Sequence, residues 1–262
     1  MTEIFGYIAA FVMGLTLGSI GGGGSILTVP ILVYLLGVPP VTATGYSLLI
    51  VGAAAAFGAW RYHKRGMIPL RDALVFALPS IAGVYLSRAF LMPAVPDPVF
   101  SEIGKDFAIM VLFAVLMVVS AVMMLRNSRK LTPLKDVPHH PVLIVIEGLV
   151  VGIVTGILGA GGGFLIIPVL VLLLRLPMRQ AVGTSLMIVA SKSLLGFLGD
   201  IQNLQNIDWW FLIGFCGLAA IGLVVGVKVA KYLPSHQLKK AFGWMVLVMG
   251  VFILGDQLLR LL

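Results

Sequence analysis

Lys192 sits inside the apolar run 180–199, flanked by Ser191 and Ser193. A lysine near the middle of a bilayer costs about 2.5–3.5 kcal/mol even on the mild insertion scale, so such residues usually serve a pathway or a partner. A cationic group that binds an anion is the first reading; snorkelling toward the nearer face is the second, because the run ends about two turns later. Glu147 is the clearest acidic residue within a span. It is a candidate for carrying a coupling proton or cation or for pairing with Lys192, and a wet vestibule near the cytoplasmic linker that ends about two turns before it would also accommodate it. Hydroxyls come next: Thr44 and Ser47 in one apolar run, Thr184 and Ser185 in another. Ser185, Val189, Lys192 and Gly196 share one helical face, as do Ser47, Val51, Ala54 and Gly58. Hydroxyls there could bind oxyanion oxygens, or simply bond their own helix backbone.

A third group is made of backbone. Gly22, Gly23, Gly24 and Ser25 belong to a run that closes on Pro30, and Gly161, Gly162 and Gly163 to a run that closes on Pro168. Each glycine weakens a helix by about 1 kcal/mol relative to alanine. A break there would place the N-terminus of the next half-helix, with its N–H groups and positive dipole end, inside the membrane, where it attracts anions. Close helix packing is the competing use, because Ala10, Gly14, Gly18 and Gly22 form a small-residue ridge matched by Gly148, Gly152, Gly156 and Ala160. Both uses are compatible: the ridge packs the first helix and the run after it opens the backbone. No strand precedes the glycines, so a dinucleotide fingerprint is excluded.

The elements that position these groups come in two copies. The motif from Gly18 to Pro30 returns from Gly156 to Pro168, an offset of 138 residues that holds without a gap from Leu15 to Gly58. It superposes Pro39 on Pro177, Gly45 on Gly183, Ser47 on Ser185 and Gly58 on Gly196. The chain is 60% hydrophobic and 11% charged, with mean hydropathy +1.11, against roughly half and a quarter in a soluble domain. Its apolar runs can cross a hydrocarbon layer of about 30 Å. The reading is an all-α polytopic membrane protein, since a barrel would show short alternating segments. Apolar segments fall at 4–20, 25–37, 41–60, 72–91 and 106–125, then at 142–158, 163–175, 180–199, 209–227 and 241–259. One transporter domain spans 1–262, with repeat 1 over 4–125, a linker over 126–141 and repeat 2 over 142–259.

Loop charge orients the copies. Arg61, His63, Lys64 and Arg65 follow the third segment of repeat 1, whereas Asp200 to Asp208 has no lysine or arginine. After the fourth segment the bias reverses: 93–106 is mostly acidic, but Lys228, Lys231, Lys239 and Lys240 follow in repeat 2. Cytoplasmic loops collect Lys and Arg, so the two repeats have inverted topology, with about five helical segments each and broken or half-helices at the Gly-rich motifs. Both termini are then periplasmic and the linker cytoplasmic. Segments 25–37 and 163–175 are short and carry Pro30 and Pro168; they either cross fully or re-enter. The basic residues behind the net charge of +8 are topology determinants, so no nucleic-acid partner is expected. Cys216 is alone and the four histidines lie in loops, which leaves no metal site or cofactor in prospect. An intramembrane enzyme would need a nucleophile–base pair or a metal, and neither is present, so the chain is read as a non-enzyme.

The doubled Gly-rich–Pro motif, the stretches Ala43–Ser47 and Ala181–Ser185, and the chain length resemble the TauE/SafE sulfite exporter family of bacterial membrane proteins. The resemblance implies a multi-pass transporter in the bacterial inner (plasma) membrane for sulfite, sulfonates or related small sulfur-containing anions, working as an exporter by alternating access. A passive anion channel of the same fold and an importer of organosulfur anions are the alternatives. The implied partners are a small anion, the lipid bilayer and, as an admissible assembly, a second copy of the chain. Tyr46 stands where the second copy has Thr184, so the halves need not contribute equally.

Overall fold

The computed structural model describes residues 2–21, 24–96, 104–126, 141–172, 176–201, 208–230, 232 and 235–259. Among them there is no strand. The first copy runs α1 (Thr2–Ile20), α2 (Ser25–Pro30), which continues as a π-helical turn (Ile31–Leu35), α3 (Pro40–His63), α4 (Leu70–Leu86), a second π-helical turn (Ser87–Leu91), the short α5 (Met92–Ala94) and α6 (Lys105–Arg126). The second runs α7 (Pro141–Leu158), α8 (Gly163–Leu172), α9 (Met178–Asp200), α10 (Trp209–Val229) and α11 (Ser235–Leu259). Most of the linker expected over 126–141 lies outside the described residues, as do Gly22 and Gly23.

The offset of the sequence repeat reappears in the backbone. The end of α1 and the starts of α2 and α3 recur at Leu158, Gly163 and Met178. Gly21 and Gly159, which end the first helix of each copy, have φ of 78° and 65°, a region that favours glycine because it has no Cβ to clash. Val38 N–H bonds Leu32 O, and Leu176 N–H bonds Leu170 O, each at 3.0 Å. Pro39 and Pro177 then start α3 and α9 with φ, ψ of −53°, 138° and −55°, 141°. Proline is well suited to a helix start because its fixed φ fits there and its missing N–H would have been unpaired anyway.

Packing also exchanges between copies. α1 lies along α10 and α4 along α7, while α3 meets α9 and α6 meets α11. Swapping the copies turns the first contact into the second and leaves the others in place. Glycines make the close approaches: a Cβ at Gly14 or Gly18 would collide with the Ala219 or Leu223 carbonyl, and one at Gly222 or Gly226 with that of Phe11 or Leu15. Across the equivalent pair, a Cβ at Gly152 would strike Ser80 O and one at Gly83 would strike Leu149 O. The small-residue ridge is therefore a packing device.

Among the described residues, five helical stretches are long and apolar enough to cross a membrane: Pro40–His63, Ala73–Ala94, Lys105–Met123, Arg179–Asp200 and Trp209–Val229. The stretches in α3 and α9 are 67% and 72% buried and form the centre; the other three are 39% buried and form the rim. Rim side chains such as Ile8, Leu78, Phe90, Ile146, Ile213 and Val248 are more than half exposed. So much exposed apolar surface is solvated by lipid, not water. By contrast the described part of α8 has 10 residues, about 15 Å, and α2 with its π-turn is barely longer; neither described helix is long enough to cross the hydrocarbon layer.

Candidate functional site

The second glycine break is built by three left-handed residues, Gly159, Gly161 and Gly162, with φ of 65°, 61° and 68°. Only glycine takes such values repeatedly at little cost. They turn the chain from the end of α7 into the start of α8 at Gly163. The turn is wedged between both copies. A Cβ at Gly159 would run into Thr44 O; one at Gly161 would lie 2.6 Å from Val51 Cγ1 and 3.2 Å from the Cβ of Ser25 and Cγ1 of Val189. One at Gly162 would meet the Thr155 side chain and come within 2.8 Å of Lys192 Nζ.

Lys192 therefore points inward. Its side chain is wholly buried, and Nζ donates to Thr155 Oγ1 at 2.7 Å. Thr155 Oγ1 donates in turn to Val151 O at 2.7 Å. The snorkelling alternative is thus overturned: the ammonium lies against the glycine turn instead of reaching for a surface. Pairing with Glu147 is not made either. Glu147 Oε2 is buried with no hydrogen-bond partner among the described residues, and the ion pair found among them joins Arg88 to Asp200. Lys192 keeps donors to spare and has no carboxylate within ion-pair distance among those residues. Burying a charge without a counter-charge is expensive.

The hydroxyls divide. Thr44 donates to Val41 O at 2.6 Å. Ser185 lies 2.9 Å from Val182 O and also reaches Gly21 O in the first break. These two are engaged with backbone. Ser47, Thr184, Thr28 and Ser193 are wholly buried, and their hydroxyls have no hydrogen-bond partner among the described residues. A buried hydroxyl left unpaired costs about 1–3 kcal/mol. Ser47 shares a helical face with Thr44 and Val51, the residues that meet Gly159 and Gly161.

The expected site residues thus form two groups. Gly161, Gly162, Gly163, Ser25, Thr44, Ser47 and Lys192 gather at the second break. Ser185 belongs to the first break, with Thr184 beside it on α9. Ser185 lies seven residues before Lys192, about 10 Å along the axis. Gly24 has φ of −62°, and a Cβ there would press on Leu17 N and Met13 O of α1; Gly22 and Gly23 are outside the described residues. A separate cleft of about 480 Å³ opens where the π-turn after α2 ends, lined by Tyr34, Gly37, Pro39, Asp106 and Gln257 among others. None of its lining residues belongs to either group.

Sequence reasoning passed over a second buried cation. Arg88, in the π-turn after α4, is fully buried and bonds Asp200 Oδ2 at 3.1 Å. Its Nε donates to Gly156 O and its Nη2 to Ile157 O at 3.4 Å. Asp200 does end a helix, yet it is buried at 4% exposure. An arginine inside the apolar run 72–91 was the available signal, the same kind that singled out Lys192. Thr155 offered none, because a threonine in a helix ordinarily bonds its own backbone.

A family model described as "Sulfite exporter TauE/SafE" matches residues 6–253. The chain belongs to this family. Relatives share its whole length. A "Probable membrane transporter protein" of Xylella fastidiosa strain 9a5c is 30% identical over 252 residues, which cover 92% of this chain and 91% of the relative. The protein of that name in strain Temecula1 is 29% identical, with the same coverage. The "Probable membrane transporter protein YdhB" of Bacillus subtilis is 24% identical over 94% of this chain and 98% of its own. No solved structure matches the chain. Family and helices together make this a multi-pass membrane protein of a transporter family.

Proposed function

We propose that the protein is a secondary transporter for small sulfur-containing anions, sulfite and sulfonates foremost, and that it works as an exporter. The anion is held at the second glycine break by Lys192 Nζ, the Ser47 hydroxyl and the backbone N–H groups that open α8. The observation that carries this reading is Lys192: a buried lysine against a helix N-terminus, with spare donors and no carboxylate within ion-pair distance among the described residues. An oxyanion would supply the missing charge and accept from Lys192, Ser47 and the helix start at once. Gly24, Ser25, Thr44, Thr184 and Ser185 shape the surrounding walls and the first break.

Alternating access fits the two inverted repeats. The loop-charge reversal supports the inversion, and the exchange of α1–α10 for α4–α7 is the contact pattern a two-fold-related pair of halves produces. All the hydroxyls and Lys192 are occluded, as expected of a state closed to both faces. In this scheme the single domain lies in the inner membrane with both termini periplasmic. Glu147, with an unpartnered buried oxygen, is the candidate for carrying the coupling proton.

Purified protein in proteoliposomes loaded with sulfite tests the reading. Saturable efflux that responds to a proton gradient is expected. Absence of flux for sulfite, thiosulfate and sulfonates alike would refute it, and non-saturating flux indifferent to any ion gradient would replace it with a channel.

A further inference from the structure

Arg88 and Asp200 stand outside the proposed ligand set, yet they touch its frame. The two donors of Arg88 on Gly156 O and Ile157 O fall on the last turn of α7, immediately before the glycine turn 159–163. Carbonyls in the last turn of a helix lack the usual i+4 partner and need one when buried; among the described residues Gly156 O otherwise accepts only a long bond, 3.4 Å, from Gly159 N–H. Arg88 supplies the partner, and Asp200, the last residue of α9, holds the guanidinium in place from the other side. Three separate elements are tied at one buried point: the π-turn after α4, the end of α7 and the end of α9.

Among the described residues the first copy has no such device. Tyr62 stands where Asp200 would be, and the matched glycine contacts, Gly83 on Leu149 O and Gly222 on Phe11 O, place Val227 where Arg88 would be. There the break is pinned differently, by Ser185 Oγ donating to Gly21 O. The mirror-image bond, from Ser47 to Gly159, is not made, since the Ser47 hydroxyl has no partner among the described residues. The two copies have exchanged tasks. Where a serine holds the turn, no ion pair is present among the described residues; where an ion pair holds it, the serine is released.

From this we infer that Arg88 and Asp200 are positioning residues for the second glycine break, holding its turn in place of Ser47 and so freeing the Ser47 hydroxyl for the anion. The inference rests on the second break being the binding site. Arg88 does not touch the anion; it acts through the carbonyls of Gly156 and Ile157. A lysine at 88 would keep the charge but not the planar fork that reaches carboxylate and carbonyls together.

Two measurements on full-length purified protein test this. Hydrogen–deuterium exchange needs no ligand: Arg88→Lys and Asp200→Asn should speed exchange at least fivefold in peptides covering 157–166, and leave those covering 19–28 unchanged. Equal acceleration in both copies would mean general loosening, and no acceleration would mean the pair holds nothing; either overturns the inference. Sulfite titration should show a dissociation constant raised at least tenfold in both variants, while Ser47→Ala combined with Asp200→Asn should add less than the two single losses together. Unchanged affinity in a folded variant also overturns it. Failure of the unsubstituted protein to bind sulfite would instead refute the site, and the exchange data would still judge the positioning role. Asp200→Asn is isosteric, so it carries the test where Arg88→Lys fails to fold.

Discussion

At the scale of single residues, the site turns on which polar atoms are already spoken for. Ser47 and Ser185 are equivalent by sequence but not by bonding: Ser185 holds Gly21 O, whereas Ser47 has no partner among the described residues. Removing each should therefore do different things. Ser47→Ala should weaken sulfite binding by about 1.5–3 kcal/mol, the usual value of a hydrogen bond to a charged group, and roughly tenfold or more in dissociation constant. Its thermal midpoint should hold or rise, because an unpaired buried hydroxyl is removed. Ser185→Ala should lower the midpoint instead and change affinity less. Isothermal titration beside thermal unfolding in detergent checks both; equal affinity losses would remove the distinction. Lys192 was legible as a residue of interest from its surroundings alone. Its direction was not, since inward pointing depends on α7, α9 and the glycine turn packing around it. Arg88 was missed for a related reason: loop charges were weighed for topology, and its buried partner Asp200 lies 112 residues away.

At the scale of elements, the glycine breaks matter more than the helices they separate. Gly37 and Gly162 share a left-handed backbone, with φ of 67° and 68°. Nothing lies within 4 Å of a Cβ at Gly37, while at Gly162 it would strike Thr155 and Lys192. Gly37→Ala should thus cost only backbone strain, roughly 1 kcal/mol, and leave transport rates within about twofold. Gly162→Ala adds a collision to the strain and should abolish transport while the protein still inserts. Sulfite flux normalised to reconstituted protein measures this, and matching rates for the two variants would contradict the part given to Gly162. The shortness of the helices after each glycine break was legible in the sequence, with Pro30 and Pro168 inside those segments. Their limits emerged only with the folded backbone, because a run of apolar residues has the same composition whether it crosses or stops halfway. The π-turn after Pro30 was likewise invisible, and α8 carries Pro168 without one.

At the scale of the whole molecule, a duplicated sequence has become a pair of halves that exchange contacts but not chemistry. The repeat fixes where helices begin and end, and the proposed site lies where the copies depart from each other: Lys192 against Ala54, Arg88 against Val227, Asp200 against Tyr62. Orientation in the bilayer follows from loop charge and predicts a labelling pattern. In a Cys216→Ala background, cysteines at Lys64 and Tyr232 should react with a membrane-impermeant maleimide only in inverted vesicles, and one at Asp208 only in intact cells. Lys64 and Tyr232 labelled from opposite sides would contradict the inversion.

Whether buried Lys192 holds the anion is decided by equilibrium binding of sulfite to the purified protein and to its Lys192→Met variant. Methionine fills the space of the lysine stem and removes the charge, and such replacements of buried charges are often neutral or stabilising. The account predicts an intact, equally or more heat-resistant variant whose sulfite affinity falls by about 2–5 kcal/mol, roughly thirtyfold or more. A folded variant that binds sulfite as tightly as the unsubstituted protein would contradict it.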